Sequence, residues 1–269
     1  MYRIFTALFL AFFSLALCAQ EKEFAGMKYV TTDTYAKATY SDWRESRTDG
    51  SPVMRERSGL ITAGAEGTTT LSFTGRSIPV TWIAEATAGA TYYVGSEMLT
   101  EKPRKAINGY AGIRVELTAH QNLMSRGHFS FGSSVGVGDA AFGKTAGPEL
   151  WNALYARLGL ETSFQVARTT VFLNGGLIQP VLVADVGLHT NIGFTDAVYL
   201  PHGKASAFGE IGVVTGRGKK LSLVYDTMNM SQSPVVRSYE IGGSRTLDLV
   251  QPNTRSYTLS LKFRYRFGH

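Results

Sequence analysis

The chain has 269 residues, a net charge of +6 and a single cysteine, Cys18. A lone cysteine supports no disulfide framework and no thiolate metal cluster. The modest basic excess comes without a basic run interleaved with aromatics, so nucleic-acid binding is not expected.

Arg3 precedes a strongly apolar run over 4–17, followed by Cys18, Ala19 and the polar Gln20, Glu21 and Lys22. This is the three-part layout of a secretory signal peptide, and the run is shorter than the roughly 20 residues a spanning helix needs. Cleavage is expected after Ala19. The large Leu17 argues against a lipoprotein signal at Cys18, since such signals want a small residue there. Loss of 1–19 removes the cysteine and Arg3, taking the charge from +6 to +5. The remaining 20–269 shows no repeat, low-complexity tract or linker and is expected to form one domain.

Beyond the leader the chain reads as strands, rich in Gly, Tyr, Phe and Thr with little helical spacing. Its most apolar stretch, 175–188, is broken by Gln179, Pro180 and Asp185. Ten strands are expected at 34–46, 54–65, 76–94, 106–118, 126–138, 150–165, 169–185, 204–214, 220–230 and 254–267, with eight and twelve as the alternatives. The segments 47–53, 95–105, 139–149, 186–203 and 231–253 would then be the longer, extracellular loops. Those at 66–75, 119–125, 166–168 and 215–219 would be short periplasmic turns, and an even count leaves both termini in the periplasm. Pro180 inside a strand marks a bulge or an edge.

Alternation supplies the architecture. Ile78, Val80, Trp82, Ala84, Ala86, Ala88, Ala90 and Tyr92 oppose Thr81, Glu85, Thr87 and Thr91. Ile107, Gly109, Ala111, Ile113, Val115 and Leu117 oppose Asn108, Tyr110, Gly112, Arg114, Glu116 and Thr118. Leu154, Ala156, Leu158 and Leu160 oppose Tyr155, Arg157, Gly159 and Glu161. At the C-terminus Tyr257, Leu259, Leu261, Phe263, Tyr265 and Phe267 alternate with Thr258, Ser260, Lys262, Arg264 and Arg266. One wholly apolar face and one charged face suit lipid outside and a polar lumen inside. The expected fold class is all-β, a closed antiparallel transmembrane β-barrel.

On these residues the chain resembles bacterial outer-membrane β-barrel proteins. The resemblance implies that the last strand, with Tyr257, Leu259, Leu261, Phe263, Tyr265 and Phe267, is the signal read by the barrel-assembly machinery, although Gly268 and His269 follow it. A narrower likeness rests on Tyr225 and Asp226, Ser233 to Val236 as Ser-Pro-Val-Val, and Gln251 with Pro252. It is similar to a group of uncharacterised proteobacterial outer-membrane barrels and implies no activity. Ser233, Pro234, Gln251 and Pro252 also read simply as the ends of a long surface loop.

The candidate lumen charges are Glu85, Arg114, Glu116, Arg157, Glu161, Glu210, Asp226, Lys262, Arg264 and Arg266. In a barrel of this size they either pair into a plug or, if water remains, line a narrow path for ions or small solutes. His128 and Ser130 have a spacing that resembles the His-x-Ser of outer-membrane lipid A deacylases, but at the periplasmic end of a strand; a polar interior pair is the plainer reading. Asp185, His189, Asp196 and His202 suggest an outer-membrane protease or metal site, yet match no strong ligand pattern. Tyr92, Tyr93, Trp151, Tyr155, Tyr257, Tyr265 and Phe267 read as interfacial girdle residues. The glycines of 132–138 and 216–218 lack the context of a phosphate loop. No cofactor, metal or catalytic residue is assigned. The expected partners are outer-membrane lipid, the barrel-assembly machinery and small solutes. The expected role is a structural or surface-interaction barrel or a narrow pore, with an outer-membrane hydrolase as the alternative and a soluble periplasmic β-sandwich as a third reading.

Overall fold

The computed structural model describes residues 27–73, 76–96, 102–145, 149–216 and 218–265. The leader over 1–19 and the candidates Arg266 and Phe267 lie outside the described residues. The strands are β1 (Met27–Ser46), β2 (Pro52–Phe73), β3 (Arg76–Ser96), β4 (Pro103–Arg126), β5 (Phe129–Lys144), β6 (Glu149–Val166) and β7 (Thr169–Gly187). They continue with β8 (Ala197–Tyr199), β9 (Gly203–Lys204), β10 (Ser206–Thr215), β11 (Lys220–Met230), β12 (Val236–Tyr239), β13 (Thr246–Leu249) and β14 (Asn253–Tyr265). Each of β1 to β7 pairs antiparallel with the next, β10 pairs with β7 and β11, and β14 pairs with β11 and β1. The result is a closed antiparallel barrel of 10 strands, which leaves no ladder edge facing hydrocarbon.

Short connections sit at the end where β1 begins and β14 finishes. Three of them hold a left-handed residue, Gly127 at φ +58°, Gly218 at φ +74° and, without glycine's freedom, Ala167 at φ +52°. The opposite end carries 188–205, with a 3-10 turn at Thr190–Ile192, and 231–252, which holds the β12–β13 hairpin. Short turns mark the periplasmic end and long loops the extracellular one.

Several boundaries differ from the sequence reading. The turns expected at 66–75 and 119–125 are mostly strand, because β2 runs on to Phe73 and β4 to Arg126. There the backbone pairing continues past the clear apolar alternation, with inward polar pairs such as Thr68 opposite Thr81 and His120 opposite Ser134. Hydrophobic alternation ends before the ladder does. Likewise β5 begins at Phe129 and reaches Lys144, into the loop expected at 139–149. Pro180 does sit at a bulge: Leu154 pairs with Leu182 and Tyr155 with Pro180, leaving Val181 as the extra residue.

The faces are inverted relative to a soluble protein. Outside lie exposed Ile107, Leu117, Leu158, Leu160, Leu177, Leu223 and Leu261. Lys37, Glu56, Glu66, Glu85, Glu116, Lys144 and Lys262 are buried inside. A soluble sandwich would bury the first set, so that reading is set aside. Tyr40, Tyr92 and Tyr257 edge the belt at the extracellular end, with the Tyr40 and Tyr257 rings 6.2 Å apart.

Candidate functional site

The lumen is the most elaborate region of the molecule. Its centre is a cross-barrel ion network. Glu116 on β4 accepts hydrogen bonds from Arg114 Nη2 at 2.5 Å, Arg157 Nη1 at 2.9 Å and the Tyr155 hydroxyl at 3.0 Å. Arg114 also donates to the Tyr155 oxygen at 2.8 Å and approaches Asp226 at 3.8 Å. Strands β4 and β11 stand on opposite sides of the ten-membered ring, so this last pair crosses the whole lumen. Glu85 joins the same level, paired with Lys37 at 2.5 Å and accepting from the Tyr35 hydroxyl at 2.6 Å.

Below the network lies a polar cavity of about 450 Å³. Its charged walls are themselves paired: Glu66 with Lys262 and with Arg264 at 2.8 Å, Glu210 with Lys220 at 2.8 Å, and Glu161 with His120 at 2.8 Å. Lys262 also sits 4.0 Å above the Tyr35 ring, and the Arg157 guanidinium 3.5 Å above the Phe208 ring. These aromatic faces help to offset the cost of holding cations away from bulk water. Above the network is a smaller cavity of about 200 Å³.

Toward the extracellular end the lumen turns apolar. Trp43 on β1 meets Trp151 on β6, again from the opposite wall, with centroids 5.0 Å apart and planes at 72°. Phe142 stacks on Trp151 at 6.0 Å, and Met54, Val183 and Met230 complete the cluster. Beside it Lys144 pairs with Glu56 at 2.8 Å and lies 3.5 Å from Glu149, with the Trp43 ring 4.8 Å away. Asp185 is fully buried here, and neither of its carboxylate oxygens has a hydrogen-bond partner among the described residues.

Small residues make this filling fit. A Cβ on Gly138 would lie 2.3 Å from the Tyr155 ring, and one on Gly64 equally close to Tyr35. The glycine-rich stretch of β5 is therefore the floor on which inward aromatic side chains rest.

Of the sequence candidates, Glu85, Arg114, Glu116, Arg157, Glu161, Glu210, Asp226, Lys262 and Arg264 all line the lower cavity. The reading missed Asp33, Lys37, Glu56, Glu66, Lys144 and Lys220. Those on β1 and β2 oppose outward Ala36, Ala38, Gly59, Ala63 and Ala65, whose small side chains give a weak hydrophobic signal. Three expected girdle residues are corrected: Trp151 and Tyr155 are each only 3 % exposed and face the lumen, and Tyr93 packs against the Trp43 cluster. Each falls on the inward register of its strand. His128 lies in the turn before β5, exposed, whereas Ser130 hydrogen-bonds Ser163 at 2.7 Å.

The expected loop quartet is dispersed. Asp185 is on β7, Asp196 accepts from the Thr190 backbone N–H at 3.2 Å, and the His202 carbonyl accepts from Ser231 N at 2.8 Å. Among the described residues no three His, Cys, Asp or Glu side chains converge as a metal site. His189 is buried against Tyr199, with centroids 6.3 Å apart. Burial pushes its imidazole below the ordinary value of 6.5, opposed in part by Asp196 and Glu149.

The long loops are locked together. Thr195 N donates to Tyr239 O at 2.8 Å, Ile241 N to Gly193 O at 2.8 Å, and Ser238 Oγ to Thr195 O at 2.7 Å. Arg237 and Asp248 pair across the hairpin at 2.7 Å. Val235, Tyr239 and Ile241 remain exposed on this surface.

No protein-family model matches the sequence, and no curated protein matches it. Among solved structures the chain is similar to the outer membrane protease OmpT from Escherichia coli, at 10 % identity and a TM-score of 0.53, over 92 % of this chain and 99 % of that one. It is also similar to the β domain of the Bordetella autotransporter BrkA, at 8 % identity and a TM-score of 0.43, covering 88 % and 100 %. The transport unit of the autotransporter AIDA-I from Escherichia coli matches at 10 % identity and a TM-score of 0.41, covering 96 % and 97 %. The first likeness is one of fold. With the apolar outer belt and its tyrosine edge, it identifies a bacterial outer-membrane β-barrel.

Proposed function

We propose that this outer-membrane barrel is a plugged one, whose role is structural and surface-interacting rather than that of an open pore. The observation that carries this reading is contact between opposite walls at two levels, Arg114 with Asp226 and Trp43 with Trp151. A path for hydrated ions would have to break both. The paired lumen charges then hold the barrel in shape, and the interlocked extracellular loops, with Val235, Tyr239 and Ile241 exposed, form the face presented to surroundings. In this reading outer-membrane lipid surrounds the belt, the final strand from Tyr257 is what the barrel-assembly machinery recognises, and small solutes reach only the cavity below the network.

Planar-bilayer recording of the purified, refolded chain tests the proposal. No steady conductance is expected. A stable, ion-selective channel in the wild-type protein would overturn it in favour of a narrow pore.

A further inference from the structure

The outer wall carries a group of charges that a hydrocarbon-facing surface does not explain. Arg44 on β1, Arg55 and Arg57 on β2, and Arg255 on β14 all point outward near the extracellular rim. Arg255, Arg44 and Arg55 are directly opposite one another in register, a row of like charges across three neighbouring strands about 4.8 Å apart. Like charges so placed repel.

One carboxylate sits among them. Asp42 is fully buried beneath the arginines, accepting from Arg44 Nε at 2.9 Å, from Arg55, and from the Tyr257 hydroxyl at 3.2 Å, with Arg57 Nε at 3.9 Å. Four cations against one anion leave a local excess of three positive charges. Arg255 is exposed and has no ion-pair partner among the described residues. The Arg44 and Arg57 side chains are each 53 % exposed, so donors remain free on the outer side.

Depth narrows what could answer that charge. Arg44, Arg55 and Arg255 stand one outward step above the row of Tyr257, Asp42, Arg57 and Tyr92; Tyr40 lies one step lower, level with Gly59 and Leu259, and beneath it the wall is Ala36, Ala38, Ile61 and Leu261. Tyrosine rings favour the boundary between hydrocarbon and headgroups, which puts the guanidinium row level with the headgroups of the outer leaflet. Guanidinium forks match phosphate oxygens in two-point contacts.

We infer that Arg44, Arg55, Arg57 and Arg255 form a binding site for the phosphate of an outer-leaflet lipid headgroup, with Asp42 holding the arginines upright. The inference rests on the barrel's lipid-facing outer wall and is independent of whether the lumen is plugged.

The test uses the full mature chain refolded in neutral detergent micelles. Three probes are added separately: bis-phosphorylated lipid A, the same lipid with both phosphates removed, and inorganic phosphate at matched phosphate concentration. Binding is read by native mass spectrometry and by the thermal unfolding midpoint. The phosphorylated lipid should bind and raise the midpoint, and the other two should do neither. Substituting Arg55, Arg57 and Arg255 by Gln together should weaken lipid binding about a hundredfold, with Arg255→Gln alone giving about tenfold, the loss of one charge-assisted contact. Arg255→Gln serves if the triple variant does not refold, because Arg255 has no ion-pair partner among the described residues to lose. Equal binding by wild type and Arg255→Gln, or by the dephosphorylated lipid, would overturn the site. Saturation by inorganic phosphate at the same concentration would overturn the lipid as its source.

Discussion

Placing a cation at Leu261 is the sharpest test of which face meets lipid. Leu261 is 54 % exposed on the outer wall, between Ala38 and Leu223. It lies six residues below Arg255 on the same strand; at about 3.4 Å per residue and a tilt near 40° that is about 15 Å, close to mid-depth. Arg at such a depth costs about 2–4 kcal/mol. The matched control is Val94→Arg, also on the outer face, in register with Arg55 and Lys105 near the extracellular rim. There the cost should fall to about 0–1 kcal/mol, because the headgroups solvate the charge, and repulsion from Arg55 and Lys105 adds about a few tenths each. Both variants are refolded into phosphatidylcholine bilayers and unfolded in guanidinium, with heat-dependent gel migration confirming the closed barrel. Leu261→Arg should lose stability, or fail to insert, while Val94→Arg stays near wild type. Equal losses at the two positions would refute the lipid-facing assignment. Lys262, next to Leu261, is no neutral control: it is buried and paired with Glu66, so Lys262→Gln also carries a cost.

Glu116→Gln should destabilise by about 3–5 kcal/mol, since Arg114 and Arg157 lose the carboxylate that pairs both; an unchanged midpoint in equilibrium unfolding would show that the network is not a unit. Gly138→Ala drives a methyl into the Tyr155 ring and should cost about 1–3 kcal/mol, whereas the same change at Gly59, where a Cβ meets nothing within 4 Å, should be near neutral. The third concerns pH. Because the folded imidazole of His189 lies below 6.5, the unfolded loop binds the proton more readily, so its contribution is present above that value and fades as pH falls through the folded value. Hydrogen exchange over 188–199 should therefore speed up in the folded protein as pH falls below 6.5, relative to neighbouring strands, and His189→Gln should flatten the response; slower exchange at low pH would reverse the sign of the argument.

The period-2 pattern in 78–92, 107–118, 154–161 and 257–267 already determined that these segments are strands with one lipid-facing and one polar side, because a strand's two faces are set by parity alone. The same parity placed Arg114, Glu116, Arg157 and Lys262 inward before any fold was known. It failed at β1 and β2, where the outward residues are mostly alanine and glycine and the inward Lys37 and Glu66 had no apolar contrast to reveal them. It failed also at the ends of β2 and β4, where ladder hydrogen bonds outlast the apolar belt. What only the tertiary structure decided is which inward groups meet. Arg114 touches Asp226 and Trp43 touches Trp151 because ring closure brings opposite walls together, and those distances depend on strand count and stagger around the whole barrel, which no local pattern encodes. The arginine row on the outer wall has in part the same origin: Arg44 and Arg55 meet across the β1–β2 hairpin, but Arg255, far along the chain, joins them only when the last strand pairs with the first.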